Sequence, residues 1–172
     1  MSFKINFACG YKMWDGFFCV DAVEHPQSKR PPDLLHALEF DGTRLINPLP
    51  LDDGCADELH SIHFLEHVYQ WEATAVIQEF RRLLKPGGLL VLELPNVRKA
   101  AKNLLANKPD QECMWALYGD PRDADPYMAH RWGYTDATLQ ALLKNNGFPK
   151  TKIMPPKWHG KRAHRDMRVE AR

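Results

Sequence analysis

Lys4-Ile5-Asn6-Phe7-Ala8 alternates polar and apolar side chains and runs into Cys9-Gly10, which predicts a strand closed by a turn. Trp14-Asp15-Gly16 marks another turn, after which a second apolar run, Phe17-Phe18-Cys19-Val20, stops at Asp21. The few residues between these strands are too short for the crossover helix of a full βαβ unit, so the first helix is expected to be missing or cut to a turn. Residues 25–32 are polar and proline-bearing, and read as a surface loop. Residues 34–38 form a short apolar strand candidate, and residues 41–54, with Gly42, Pro48, Pro50 and Gly54, read as a loop.

Residues 58–62 predict a modest strand. Apolar groups at helical spacing from Glu66 to Leu84 then predict a helix, with Lys85 in its last turn and Pro86-Gly87-Gly88 as its stop. Leu89-Leu90-Val91-Leu92-Glu93-Leu94 is the most continuous apolar run and suits a strand buried on both faces within a parallel sheet. Residues 98–118 are expected to be helical with a break near 107–110, and residues 119–126 to be a loop. Thr135 is the expected N-cap of a helix through Leu143, stopped by Asn146-Gly147, and residues 150–154 and 167–171 are the last strand candidates. The alternation of strands and helices predicts one α/β domain over residues 1–172, Rossmann-like, with a mostly parallel twisted sheet, helices on both faces and an antiparallel C-terminal strand.

At 172 residues, 44% hydrophobic and 26% charged, the chain has the composition of a globular domain able to bury a core without a disulfide. No apolar run approaches the roughly 20 residues that span a bilayer, and the N-terminal residues lack a signal-peptide core; a cytoplasmic protein is expected. Cys9, Cys19, Cys55 and Cys113 form no Cys-x-x-Cys pair and are expected to be free, mostly buried thiols. A net charge of +1 gives no bulk attraction to nucleic acid. Lys157, Lys161, Arg162, Arg165, Arg168 and Arg172 outweigh Asp166 and Glu170 near the C-terminus, with His159 and His164 among them. That stretch reads as a solvated tail or hairpin, or as a rim attracting an acidic substrate.

Ligands of open α/β sheets bind beyond the carboxyl ends of the strands, here Ala8-Cys9-Gly10, Asp21, Leu38, Ile62-His63 and Pro95-Asn96. Gly10 permits close backbone approach, and an acid closing the second strand suits two ribose hydroxyls. His63 and His130 are the candidate general bases. A strand-to-helix turn splays His60, His63 and His67, so no metal site is expected.

Three stretches resemble class I S-adenosylmethionine-dependent methyltransferases, in particular small methyltransferase-type-11-like proteins with a shortened first βα unit. They are Ile5–Gly10 with Gly16–Asp21; Leu49–Asp57 with His63-Phe64-Leu65-Glu66-His67; and Phe80-Arg81-Arg82-Leu83-Leu84-Lys85-Pro86-Gly87-Gly88-Leu89-Leu90, the most specific. Leu139–Phe148 is similar to the family's last helix. The resemblance implies S-adenosyl-L-methionine bound by Phe7, Ala8, Cys9, Gly10, Asp21, Leu38, Ile62 and His63, and in-line methyl transfer to a small-molecule or glycan-like acceptor. Two departures stand out. Ala8 replaces the first glycine of the family's Gly-Cys-Gly, and Leu38-Glu39 stand where many relatives carry an acid beside adenine. Weaker readings are a catalytically degenerate binding or scaffold protein, a nucleic-acid methyltransferase, and a nicotinamide-dependent oxidoreductase, whose Gly-x-Gly-x-x-Gly turn is missing.

Overall fold

The computed structural model describes residues 2–122, 124–158 and 162–172, so His159 and Lys161 of the basic stretch lie outside the described residues. In β1 (Lys4–Phe7) the alternation sends Ile5 and Phe7 into the apolar core and Lys4 and Asn6 to the opposite face. Strand β1 pairs in parallel with β2 (Phe18–Asp21) and with β6 (Ala56–Ile62). Beyond β2 lies β3 (Leu34–Leu35), and beyond β6 lies β7 (Leu84–Pro95), both parallel to their neighbours. Strand β9 (Asp166–Ala171) inserts antiparallel between β7 and β8 (Thr151–Met154). The sheet order is therefore β3-β2-β1-β6-β7-β9-β8, the mostly parallel sheet with an antiparallel C-terminal strand that the alternation predicts.

Helices α1 (Gln70–Leu83) and α4 (Asp136–Asn145) share one face of this sheet. Val76, Ile77, Phe80 and Leu83 of α1 and Leu139 and Leu143 of α4 join Ile5, Leu59, Leu90, Leu92 and Val169 in one core. Thr135 caps α4, accepting from the Thr138 amide. Two shorter helices, α2 (Val97–Leu105) and α3 (Met114–Tyr118), with a break between them, pack together beyond β7. Asn96 caps α2 by accepting from the Arg98 and Lys99 amides.

The opposite face shows the consequence of the shortened first unit. Residues 8–17 form no helix, and Trp14 and Phe17 lie over the sheet instead. Trp14 stacks on Trp158 at 4.0 Å and 17°, and both rings, with Phe17, surround His60 of β6. The covered face is polar: Asn6, His60, Glu93 and Arg168 are all buried there, with Glu93 accepting from the Lys157 and Trp158 amides. Burial pushes the His60 imidazole down from 6.5 to about 4, despite Glu58 beside it; Lys4 and Arg168 add to the drop. Above pH 6.5 the ring is neutral folded or unfolded. As pH falls from 6.5 towards 4 the unfolded chain binds a proton that the folded chain refuses, so stability is lost across that window. The loss approaches about 3 kcal/mol near pH 4. Urea unfolding of wild type and His60→Phe between pH 7 and 4 checks this: the variant should show a shallower decline, and parallel curves refute it.

Several boundaries differ from those the pattern predicts. The helix expected from Glu66 begins as a 3-10 turn over Leu65–His67, breaks at the extended Val68, and restarts at Gln70 with the Tyr69 amide donating to Glu72. Lys85 lies in β7, not in the helix, because α1 stops at Leu83 and the strand starts at once. The ladder skips from Ala56↔Leu84 to Glu58↔Leu89, so Lys85-Pro86-Gly87-Gly88 bulge outward, with Gly87 at φ +77° and Lys85 anchored to Asp57 at 2.8 Å. Within the expected loop after Asp41 lies β5 (Arg44–Leu45), which forms a two-residue-strand hairpin with β4 (Phe40–Asp41). Cys9, Cys19, Cys55 and Cys113 are free, and burial pushes the Cys9 thiol up to about 12.

Candidate functional site

The carboxyl ends of β1, β2, β3 and β6 face the same edge of the sheet, as parallel pairing requires. At the centre of this edge the Gly10 amide donates to Asp21 Oδ2 at 2.7 Å, and the Val23 amide approaches Oδ1 at 3.3 Å. The glycine turn and the acid are thus brought together as the motif implies. Phe7 contributes backbone here; its ring packs edge-on against Phe64 and Phe80 in the core. Cys9 is buried with its sulfur 3.5 Å from Met13 Sδ, and Ile62 is half-buried at the end of β6. Strand β3 ends at Leu35, so Leu38 falls outside the strand end and packs against the core. Leu35, 53% exposed, and His36, whose amide donates to Asp21 O, occupy the position expected for Leu38.

Ala8 has φ +53°, in the left-handed region that disfavours a Cβ. Alanine is strained there, where glycine would not be. Ala8→Gly should therefore raise stability by about 1 kcal/mol, net of the greater freedom of glycine in the unfolded chain. Thermal unfolding checks this, and a lower midpoint than wild type would refute it.

His63 also has φ +53°. Its Nδ1 lies 2.8 Å from Glu66 Oε1 and its Nε2 3.1 Å from Asp166 Oδ2. Glu66 and Asp166 are fully buried, 2% and 0% exposed. Burial opposes charging the ring, but the two carboxylates outweigh it and raise His63 to about 9, while the imidazolium pulls Glu66 down. A ring that donates to carboxylates from both nitrogens has no lone pair for a substrate proton, so the expected general-base role of His63 does not fit its surroundings. Asp166 in turn pairs with buried Arg165 at 3.2 Å, and Lys99 Nζ donates to its carbonyl. In the sequence Asp166 lies in the basic stretch, immediately before the strand candidate 167–171, and that position at the head of the alternation is the available signal.

Arg165 and Arg168 of that stretch are likewise drawn inward, whereas Lys157, Arg162 and Arg172 are exposed. Arg168, 6% exposed, pairs with Glu170 at 2.8 Å and approaches Glu93 at 3.8 Å, and Arg165 donates to Gln111 O. Of the readings for this stretch, the hairpin fits, since β8 and β9 pair antiparallel. A solvated tail and a basic rim fail for Arg168, which lies in the interior strand β9, and for Arg165, which is buried against Asp166 and Gln111.

Residues 129–132 close over the 3-10 turn, with the Arg131 and Trp132 amides donating to Glu66 O. His130 Nδ1 is 3.1 Å from Ala116 O, His67 Nδ1 is 3.3 Å from Ala129 O, and the two rings meet edge-to-face at 4.9 Å. Burial pushes His130 below its ordinary value, which keeps the ring neutral and its Nε2 basic. His60 lies on the far face of the sheet, so His60, His63 and His67 are not brought together.

This sheet order, ending in a strand inserted antiparallel, with a glycine turn touching an acid at the carboxyl edge, defines the class I S-adenosylmethionine-dependent methyltransferases. The family model described as "Methyltransferase domain" matches residues 14–153, and the chain belongs to that family. Solved structures agree on the fold. A S-adenosylmethionine-dependent methyltransferase from Archaeoglobus fulgidus is 14% identical with a TM-score of 0.61, covering 99% of this chain and 85% of that one. One from Mesorhizobium loti is 15% identical, TM-score 0.61, covering 99% and 90%. A protein of Pyrococcus horikoshii is 19% identical, TM-score 0.61, covering 99% and 82%. No curated protein matches the sequence. Among the described residues no helix is long and apolar enough to cross a membrane.

The residues at the edge fit the family's cofactor. A side chain built at Gly10 would meet nothing within 4 Å, so there is open space against its backbone. Asp21 is half-buried, and its Oδ1 has accepting capacity left beyond a long contact.

Proposed function

We propose that this chain binds S-adenosyl-L-methionine at the carboxyl edge of β1, β2, β3 and β6 and methylates a small-molecule or glycan-like acceptor. The observation that carries the reading is the 2.7 Å bond from the Gly10 amide to Asp21, which fixes the carboxylate at the turn. In this role Asp21 Oδ1 accepts from the ribose, the backbone of Ala8-Cys9-Gly10 passes beside the methionine portion, and exposed Leu35 offers an apolar surface to adenine. Ile62 and His63 close the β6 side, His63 as a positioning residue that holds Glu66. The bound sulfonium supplies an already activated methyl group, so the protein's part is alignment and exclusion of water.

A small acceptor is favoured over nucleic acid by the inward pairing of Arg165 and Arg168, which removes two cations from the C-terminal surface. Calorimetric titration with S-adenosylmethionine and S-adenosylhomocysteine tests the reading. Saturable binding of both supports it, and no heat change at millimolar ligand overturns it. A screen of hydroxyl and amine acceptors with radiolabelled methyl donor then tests transfer. Binding without transfer to any acceptor would favour the degenerate reading that Ala8 motivates.

A further inference from the structure

We infer that Glu66, His67 and His130 form a binding site for a divalent transition-metal cation of the zinc type. One carboxylate oxygen of Glu66 and one ring nitrogen from each histidine lie within 4.8 Å of one another. The set combines two imidazoles with one carboxylate, a donor combination that borderline first-row cations favour.

The hydrogen bonds around the set determine which atoms are available. A backbone carbonyl can only accept, so Nδ1 of His67 must donate to Ala129 O and Nδ1 of His130 to Ala116 O. Each neutral ring then carries its lone pair on Nε2. Backbone carbonyls orient metal-binding imidazoles in this way, by fixing the tautomer before the metal arrives. On Glu66, Oε1 is taken by His63, while Oε2 is fully buried and has no hydrogen-bond partner among the described residues. A buried carboxylate oxygen left without a donor carries a substantial desolvation cost, and a cation removes it.

The backbone preorganises the three residues. Glu66 and His67 sit in the 3-10 turn after β6, and the Arg131 and Trp132 amides tie the His130 segment to Glu66 O. With metal–ligand bonds of about 2.1 Å, tetrahedral donors stand about 3.4 Å apart, so ligand atoms that lie within 4.8 Å of one another must close by at most about 1.4 Å, within reach of side-chain rotation. Three protein ligands leave coordination positions open to water or to an acceptor oxygen. With the cation bound, His130 Nε2 is a ligand and not a base, and the cation itself would ease proton loss from a coordinated hydroxyl. The site stands independently of cofactor binding and is tested without it.

Chelator-treated protein is titrated with zinc chloride by calorimetry, with no methyl donor present. One equivalent bound at micromolar affinity or tighter is expected, with a rise in thermal midpoint. His67→Gln and His130→Gln should each weaken zinc binding by at least about a hundredfold. X-ray absorption of the zinc-loaded wild type should show nitrogen and oxygen donors only, including two imidazoles, a measurement that does not depend on the variants folding. No saturable binding at millimolar zinc, unchanged affinity in both folded variants, or a sulfur donor at the metal would overturn the site.

Discussion

His63→Ala should destabilise the folded protein by about 3–5 kcal/mol. The ring is the counter-ion of two carboxylates that are 2% and 0% exposed. Removing it leaves Glu66 without the imidazolium at Oε1 and Asp166 with Arg165 alone. Breaking a buried ion pair costs more than the pair contributes, because the surviving charge stays desolvated. Alanine keeps the strained left-handed backbone at this position, so no relief offsets the loss. For a chain of this size the thermal midpoint should fall by roughly 10 °C or more. Adding Asp166→Asn to His63→Ala should cost less than the sum of the two single losses, since the neutral amide no longer needs the imidazolium. Urea and thermal unfolding of the three variants measure this. A loss under about 1 kcal/mol for His63→Ala would mean that the triad is solvated and contributes little.

The triad also shows what was legible in the chain. Strands β1, β2, β6, β7 and β9 followed from alternation and apolar runs, because one face or both are buried and burial dictates side-chain period. The α4 cap followed from Thr135, whose hydroxyl has a local job. Features that depend on contacts distant in sequence were not legible. Leu38 was expected at the edge because an apolar run of five residues looked like strand, but only Leu34 and Leu35 find a partner in β2. The strand over residues 167–171 is legible, but the burial and pairing of Arg165, Asp166 and Arg168 are not, because their partners His63, Glu93 and Gln111 lie far along the chain. The same holds for His130, whose neighbour His67 is supplied by another segment. Even the shortened first unit, correctly expected from spacing, did not announce that Trp14 and Trp158 would stack over a polar sheet face in place of a helix.

Asp21→Ala should weaken S-adenosylmethionine and S-adenosylhomocysteine binding by more than about tenfold, which corresponds to at least about 1.4 kcal/mol of lost interaction. A carboxylate accepting from neutral hydroxyls makes charge-assisted bonds, stronger than those between neutral groups. The same substitution frees the Gly10 amide, so a drop in affinity could arise from a loosened turn and not from a lost ribose contact. Asp21→Asn separates the two causes. Its side-chain carbonyl can still accept from Gly10, preserving the turn, while the other end becomes a donor in place of a charged acceptor. A turn-only role predicts wild-type affinity for Asp21→Asn; a ribose role predicts loss in both variants, with both ligands, at unchanged thermal midpoint for the asparagine variant. Ala8→Gly should move affinity in the opposite direction from Asp21→Ala, since it relaxes the backbone on the other side of the same turn. Unchanged affinity in Asp21→Ala would place the ribose elsewhere along the edge, and with it the assignment of Leu35 to adenine would fall.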